Sequence, residues 1–373
     1  MTDSALQLQR LCFSRTPGAS IRLHQRLVRH APPEMLGLPM TLYTDMGIKD
    51  RDASWLSQPD WDLVRRDADM LAAMNMALLW YEDESYPWLL AETAYPPVAL
   101  YVRGMSDVLQ LPQLAVVGTR HPSHAGKGLA HMFAQALVSA GICITSGFAQ
   151  GIDAAAHEGA LRGKGLTVAV FGCGVDHIYP RGHEFLARHI LDAGGALVSE
   201  MPPGTPPLPS HFPRRNRIIS GLAQGTLVVE AALRSGSLIT ARMAADQGRE
   251  VFAIPGPIQH PGSRGCHWLI RQGAKLVETV DDILQELTRP AVVSASGLTD
   301  AGHLPDDADA IELLSHIAYG PTTVDTLVTR TGLPASLLGP WLTRLELEGL
   351  VTLVQGGAYI RSGLGGMGVR KAK

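Results

Sequence analysis

The stretch ICITSGFAQGIDAAAHEGAL, residues 142–161, joins an apolar run to a glycine-containing loop and then to a helical segment. Further apolar runs alternate with helical segments between residues 114 and 287: LAVVG, LTVAVFG, ALVSE, TLVVE, EVFAIPG and AKLV. Such alternation is typical of parallel strands that are covered by helices on both faces. The pattern therefore predicts an α/β domain with a parallel sheet over residues 113–288.

Five segments flank this predicted domain. Residues 1–80 have helical spacing without a strand pattern, so we expect a helical domain. Residues 81–112 are rich in proline and aromatic residues, which indicates an extended connection with one short strand, VALYV. Residues 289–307 have the composition of a linker. Residues 308–361 predict three helices and a β-hairpin, the order of a winged helix, and we expect a flexible basic tail over 362–373.

Composition limits the possible partners and the compartment. The 373-residue chain has a formal net charge of −3, so a polyanion must be held by a local cluster rather than by the field of the whole protein. The cysteines show no C-x-x-C spacing, and buried thiols in a reducing compartment are expected. There is no basic, apolar leader and no apolar run approaching 18 residues. We therefore expect a cytoplasmic protein with no membrane partner.

The candidate binding residues follow the predicted strands, because the carboxyl ends of parallel strands form the ligand crevice of such a sheet. These loops contain glycine, serine and threonine, whose backbone and hydroxyl groups can donate to a phosphate. The loop residues are Gly118, Thr119, Arg120, Ser146, Gly147, Gly151, Ser235, Gly236 and Ser237. We expect them to form one extended anion-binding surface.

The segment HFPRRNRIISGL, residues 211–222, places three arginines in the first turn of a predicted helix. Positive side chains oppose the field of a helix N-terminus by about 0.3–1 kcal/mol each, unless an anion lies there. Helical spacing puts Arg214 and Arg217 together, and puts Arg215 over the open end of the apolar face. We expect a DNA phosphate to be the anion, with Arg120 on the same crevice. The alternative is that these arginines form a solvent-exposed charged face without a ligand.

Roles are also expected for residues beside the arginines and in the loop after the second predicted strand. Phe212 is either a core anchor or an exposed ring on which a base stacks, and Asn216 lies beside the arginines. Asp153 is expected to be a helix N-cap, and His157 is expected to pair with it one turn later.

Several common signatures are missing from the sequence. No G-x-x-x-x-G-K-[ST] motif occurs, which argues against an ATPase of that class. The first loop is not G-x-G-x-x-G, and no acidic residue follows the second strand, so a dinucleotide site is poorly supported. The histidines and cysteines lack metal-ligand spacing. We therefore predict no cofactor, no metal and no catalytic constellation.

The central segment resembles the DNA-processing protein A family, also called DprA or Smf. The resemblance is carried by VVGTR, SGFAQGIDAAAHEGAL, IYP, SEMPPG, FPRRNRIISGL and VVEAALRSGSLITARMAADQGREVFAIPG, within residues 85 to 285. It implies a Rossmann-like central domain, an N-terminal domain of SAM-like or helix-hairpin-helix-like type, and a C-terminal winged helix. The outer domains carry the weaker match.

The resemblance also implies a function: single-stranded DNA binding without enzymatic turnover, protection of incoming DNA, and loading of the RecA recombinase during natural transformation. It implies a homodimer as well. The DNA contacts would fall on Arg120, on the loop 146–153 and on the segment 212–219. Gln150 replaces a usual arginine of the family, so this loop lacks the positive charge of that residue.

Two alternatives come from other classes of function. One is a nucleoside-monophosphate phosphoribohydrolase with Arg120 on the phosphate and Glu230 near the ribose, although the chain has LRSGSLIT where such enzymes carry a P-G-G-x-G-T type loop. The other is a regulator that reads duplex DNA through the winged helix. Its recognition segment, LLGPWLTRLELEG, offers Arg344 against Glu346 and Glu348, which disfavours phosphate contact.

Overall fold

The computed structural model describes residues 3–30, 36–287, 308–318, 320–347, 350–354 and 357–361. Five helices form the N-terminal region: α1 (Asp3–Ser14), α2 (Ile21–His30), α3 (Met40–Asp45), α4 (Asp50–Ser57) and α5 (Trp61–Ala73). Asp60 caps α5, since its carboxylate accepts a hydrogen bond from the Leu63 amide at 2.9 Å. Tyr43 and Trp80 are buried in the core of this region.

The N-terminal region also contributes a strand, β1 (Met76–Trp80), so the expectation of a purely helical domain over residues 1–80 was wrong. The run MALLW pairs antiparallel with β2 (Ala99–Gly104), which confirms the strand expected at VALYV. The pairing satisfies the backbone groups of β1 that face β2. The connection between the strands contains one short helix, α6 (Trp88–Ala91), and the chain passes from β2 through a 3-10 turn to the central sheet.

The central sheet has nine strands in the order β1-β2-β6-β5-β4-β3-β7-β8-β9. Strands β3 to β9 pair in parallel, as the sequence predicts, whereas β2 joins β6 antiparallel. Their bounds are β3 (Gln113–Val117), β4 (Cys143–Ser146), β5 (Thr167–Phe171), β6 (Ala196–Ser199), β7 (Gly225–Val228), β8 (Glu250–Ala253) and β9 (Lys275–Leu276). The N-terminal hairpin therefore extends the Rossmann-like sheet by two strands.

Seven helices cover the two faces of the sheet: α7 (His124–Ser139), α8 (Ile152–Arg162), α9 (Glu184–Asp192), α10 (His211–Leu222), α11 (Ser237–Asp246), α12 (Arg264–Arg271) and α13 (Val280–Leu287). Successive residues of a strand point to opposite faces. In β3, Leu114 and Val116 accordingly pack in the cluster that contains Phe133 of α7, while Ala115 and Val117 pack with α10. This explains why the strand runs are apolar throughout.

The topology reverses at β3, whose neighbours are β4 on one side and β7 on the other. Connections that leave in opposite directions open a crevice at the carboxyl ends of these strands. The loops after β3, β4 and β7 border this crevice.

Three helices and a three-stranded sheet form the C-terminal region, which confirms the predicted winged-helix order. They are α14 (Ala308–His316), β10 (Thr322–Thr323), α15 (Val324–Thr331), α16 (Ala335–Leu347), β11 (Val351–Val354) and β12 (Ala358–Arg361). Leu327, Leu342 and Leu345 are buried in the shared core. The proposed linker 289–307 and the tail 362–373 lie outside the described residues.

The cysteines are buried and unpaired, as the missing C-x-x-C spacing suggests: Cys12, Cys143, Cys173 and Cys266. Burial raises the pKa of each thiol, so these side chains are protonated at neutral pH. Among the described helices, none combines the length and the apolar composition required to cross a membrane.

Gly151 allows the loops after β3 and β4 to approach closely, because it has no side chain. Its replacement tests the importance of this close approach. Its φ is +85°, and a Cβ atom there would lie 2.4 Å from the Thr119 carbonyl oxygen. We expect Gly151→Ala to destabilise the protein by about 2–4 kcal/mol, because strain at positive φ adds to overpacking. Gly248→Ala is the matched control, since Gly248 has φ +68° with nothing within 4 Å. Equal urea midpoints for the two variants would show that the close approach is unimportant.

Candidate nucleic-acid interface

Hydrogen bonds join the three glycine-containing loops at the carboxyl edge of the sheet. The Thr119 amide donates to the Glu230 carbonyl at 2.7 Å, and the Ile152 amide donates to the Thr119 carbonyl at 3.1 Å. The structure thus joins the three loops at one edge, but Ser146, Gly147 and Ser237 are buried there and are not part of the expected surface. We call this edge, formed by the loops after β3, β4, β5 and β7 and by the first turn of α10, the rim.

The loop after β3 presents its charge to solvent. A Cβ atom on Gly118 would lie within 3 Å of both Ile152 and the Glu230 carbonyl, so glycine permits the loops to pack closely here. Arg120, two residues later, is exposed. Its guanidinium is available to a ligand at the crevice.

The loop after β4 turns inward instead. Ser146 is fully buried and donates its hydroxyl to the Val116 carbonyl at 2.6 Å. Gly147 is also buried, and its carbonyl accepts from Arg215. Of the predicted residues in this loop, only Gly151 retains partial exposure. Ser146 and Gly147 therefore shape the loop from within, and exposed Gln150 is the polar side chain that the loop presents to solvent.

The structure revises the role expected for Arg215. The residue is only 5% exposed, and its Nη1 donates to the carbonyls of Gly147 and Val170. Burial lowers the pKa of its guanidinium to about 10, which leaves it charged at neutral pH. Because Arg215 projects over the apolar face of α10, its guanidinium reaches under the loops rather than out to a phosphate. It fastens α10 to β5 and to the β4 loop.

The counter-charge of Arg215 is Asp153, and the roles expected for Asp153 and His157 were wrong. Gly151 is the N-cap of α8, while the Asp153 carboxylate accepts from the Ala149 amide at 3.3 Å. Burial raises the pKa of Asp153 to about 6, against the opposing effect of the Arg215 charge. His157 bonds through Nδ1 to the Thr167 hydroxyl at 2.7 Å instead of pairing with Asp153, and burial lowers its pKa to about 3.

Helix α10 begins at His211, so only Arg214 lies in its first turn and the expectation of three first-turn arginines was wrong. Glu200 supplies the anion for this end of the helix. Its two carboxylate oxygens accept from Arg214 and Arg217, each at 2.6 Å. The Arg217 side chain is 17% exposed, whereas that of Arg214 is 50% exposed. The protein therefore neutralises the arginines internally, and Arg214 is the member of the triplet that can also reach an external phosphate.

Phe212 forms part of an aromatic surface on the rim. Its ring packs over the backbone of Gly172, where a Cβ atom would lie 3.0 Å away, and its centroid is 5.6 Å from that of Tyr179. Tyr179 is 45% exposed and Phe212 is partly exposed. The sequence argument missed Tyr179, although its place in IYP was visible, because nothing local indicates that this loop reaches α10. Asn216 is partly exposed and accepts from the Arg215 Nε at 3.3 Å.

The loop after β7 completes the rim. The hydroxyls of Ser235 and Ser237 are 2.7 Å apart, and exposed Gly236 is the N-cap of α11. Arg234 is exposed immediately before them and was not among the predicted contacts. A basic residue that follows a strand by several positions is the signal that could have identified it. The rim thus carries four exposed arginines: Arg120, Arg181, Arg214 and Arg234.

Glu230 lies in the crevice, but both of its carboxylate oxygens are engaged. One accepts from the Ser123 hydroxyl and the other from His260, each at 2.8 Å. Burial acts to raise the pKa of Glu230, yet these hydrogen bonds outweigh it and hold the pKa below its ordinary value. The carboxylate is ionised and packed, which disfavours it as a proton donor. Within the described ranges, no group of three His, Cys, Asp or Glu side chains is placed to hold a metal ion.

Comparisons with known proteins agree on one family. The family model described as DNA recombination-mediator protein A matches residues 77–288, and the DprA winged-helix model matches residues 299–357. The Smf protein of Escherichia coli is 46% identical over 311 residues, which cover 82% of this chain and 79% of that protein. DprA of Streptococcus pneumoniae is 47% identical over 204 residues, which cover 55% of this chain and 72% of that protein.

Two solved structures are similar as well. The X-ray structure of S. pneumoniae DprA has a TM-score of 0.64 at 36% identity and covers 76% of this chain and 96% of that chain. Helicobacter pylori DprA, whose structure concerns its single-stranded DNA binding mode, has a TM-score of 0.52 at 28% identity and covers 57% of this chain and 96% of that chain. The whole rim lies within residues 77–288, which the family model matches. The chain belongs to the DNA recombination-mediator protein A family, also known as DprA or Smf.

Proposed function

We propose that this protein binds single-stranded DNA along the rim, protects incoming DNA and loads RecA during natural transformation. The observation that carries the proposal is the combination of the partly exposed Phe212–Tyr179 ring pair with four exposed arginines on one edge of the sheet. Stacking rings bind the faces of unpaired bases, while arginines hold the phosphates between them. The similarity to a DprA studied for its single-stranded DNA binding supports this assignment.

The spacing along the rim suits an extended strand. Phe212 lies over the end of β5, and Arg120 follows β3, two strands away in the sheet. Neighbouring strands are about 4.8 Å apart, so the two groups are separated by roughly 10 Å. A single DNA strand that runs across the carboxyl ends of the sheet can therefore contact both Phe212 and Arg120. Arg234 follows β7, which is the next strand of the sheet after β3.

The other functional classes are less well supported. In α16 the exposed residues Arg344 and Glu346 offset each other, which gives the winged helix little attraction for duplex phosphates. A phosphoribohydrolase would need Glu230 at the ribose, where its engaged, ionised carboxylate is a poor acid. We accordingly propose a binding protein without catalytic turnover. Release of free base from a nucleoside monophosphate by the purified protein would overturn this part of the proposal.

We also propose a homodimer through the central domain. Of the two edge strands, β1 lies beneath the N-terminal helices, whereas both residues of β9 are exposed and Leu276 is 41% exposed. Among the described strands, β9 pairs only with β8, and such an edge with an apolar side chain offers hydrogen bonds and buried area to a second copy. We propose that RecA is recruited to a DNA strand held by two copies.

Exposed arginines on the rim should set the salt dependence of binding. Single-strand affinity loses about 0.7 of a log-log slope unit for each phosphate contact removed. We expect the double variant Arg120→Ala and Arg214→Ala to lower the slope by about 1.4, measured by fluorescence anisotropy over a salt series. Arg162→Ala is the control, because Arg162 is exposed at the opposite end of α8. An unchanged slope in the double variant would mean that the arginines form a solvated face.

Stacking should be separable from charge at Phe212. Phe212→Leu keeps an apolar side chain over Gly172 but removes the aromatic face, so binding should weaken by about 1–3 kcal/mol with an unchanged salt slope. Phe212→Tyr retains the ring and should bind like the original protein. If both variants bind equally well, Phe212 is a core anchor and the stacking assignment is wrong.

Disruption of the proposed dimer should be visible by sedimentation. The chain has a mass of 40.0 kDa, and we expect a species of twice that mass at micromolar concentration. Leu276→Glu should shift it to the monomer, since a charge would be buried at the paired edge. Met105→Glu changes another exposed apolar residue, next to β2, and should leave the dimer intact. A monomer at high micromolar concentration of the unmodified protein contradicts the proposal.

A further inference from the structure

Two of the seven phenylalanines are not buried, and both lie at the carboxyl edge of the sheet. The five buried ones are at most 3% exposed: Phe13, Phe133, Phe148, Phe171 and Phe252. Phe212 is partly exposed on the rim, and Phe185 is 67% exposed in the first turn of α9. Single exposed apolar residues are common on protein surfaces, so the surroundings of Phe185 decide whether its exposure serves a ligand.

Phe185 and Phe212 lie on opposite sides of the end of β5. Phe171 packs in one core cluster with α9, whereas Val170 packs in another with α10. Because successive residues of a strand point to opposite faces, these two helices cover opposite faces of the sheet. Helix α9 follows β5 in the chain, and Arg215 fastens α10 to β5, so both helices begin near the carboxyl end of that strand.

The loop after β5, residues 172–183, crosses the edge of the sheet between the two helices. The centroid of its Tyr179 ring lies 5.6 Å from that of Phe212. Two residues later Arg181 is exposed, and Phe185 follows at the start of α9. The surface from Phe212 to Phe185 thus carries aromatic rings on both sides of an exposed guanidinium. Rings on which bases stack, combined with cations along the backbone, are the means by which proteins bind single strands without sequence preference.

The charges around Phe185 favour a polyanion. Its ring contacts that of His189, one turn later on α9, with the centroids 3.9 Å apart. Among the charged residues 181–188, the exposed Arg181 and Arg188 outnumber Glu184, whose carboxylate accepts a hydrogen bond from the backbone at 2.9 Å. An exposed ring with an excess of positive charge beside it suits a DNA strand better than an apolar protein surface.

We propose that Phe185 is a second base-stacking site of the bound DNA strand, and that Arg181 binds a phosphate between this base and the one on Phe212. Helix α9 joins β5 to β6, which lies on the other side of β5 from β4 and β3. The strand would therefore continue past Phe212 in the direction away from Arg120, over the end of β5. This inference rests on the proposed single-strand binding and extends the site beyond the rim.

Phe185→Leu tests the inference because it keeps an apolar side chain and removes the aromatic face. Since the residue is largely exposed, the variant should fold like the original protein. We expect it to bind a long thymidine oligonucleotide about fivefold more weakly with an unchanged salt slope, measured by fluorescence anisotropy. Phe185→Tyr retains the ring and should keep full affinity. Met132→Ala is the control, because Met132 is 52% exposed in the middle of α7, and it should also keep full affinity.

Arg181→Ala gives a second measurement, since loss of one phosphate contact should lower the log-log salt slope by about 0.7. Equal affinity of Phe185→Leu and the original protein, while Phe212→Leu binds more weakly, would overturn this inference and leave the proposed function standing. A change of sedimenting mass in Phe185→Leu would assign the ring to a contact between protein chains and would also overturn it. If the proposed function itself is wrong, the unmodified protein will not bind single strands at any salt concentration.

Discussion

The buried guanidinium of Arg215 is the interaction on which the arrangement of the rim depends. It donates to the carbonyls at the ends of two neighbouring strand segments, Gly147 after β4 and Val170 in β5, and it carries the charge that opposes Asp153. A buried charge is tolerated only when its donors are paired, and loss of one partner leaves the others uncompensated. Arg215 therefore fixes α10, and with it the positions of Phe212 and Arg214, relative to the sheet.

The three arginines of one helical turn consequently have three different roles. Arg215 is internal, Arg217 is largely covered and paired with Glu200, and Arg214 shares that carboxylate while half of its side chain remains exposed. Glu200 neutralises Arg214 in the first turn of α10, and Arg217 one turn later, without any external anion. A bound phosphate would thus add to an existing network rather than complete it, which limits how much of the affinity each arginine can contribute.

The N-terminal region is structurally continuous with the central domain. Strand β1 extends the sheet through β2, and Arg15 reaches the loop after β6 through the Pro203 carbonyl. A region that appears accessory in the sequence is therefore built into the same sheet as the rim.

The sequence by itself determined the parallel sheet, the winged-helix order and the glycine-containing loops, because strand runs, helical spacing and turn residues are local patterns. It could not reveal β1, whose partner lies 23 residues later in the Leu78–Tyr101 register, nor the burial of Arg215. It placed Arg215 correctly over the apolar face of α10. Only the tertiary structure decided whether that guanidinium contacted solvent or backbone carbonyls, because the carbonyls of Val170 and Gly147 lie 45 and 68 residues away in the chain.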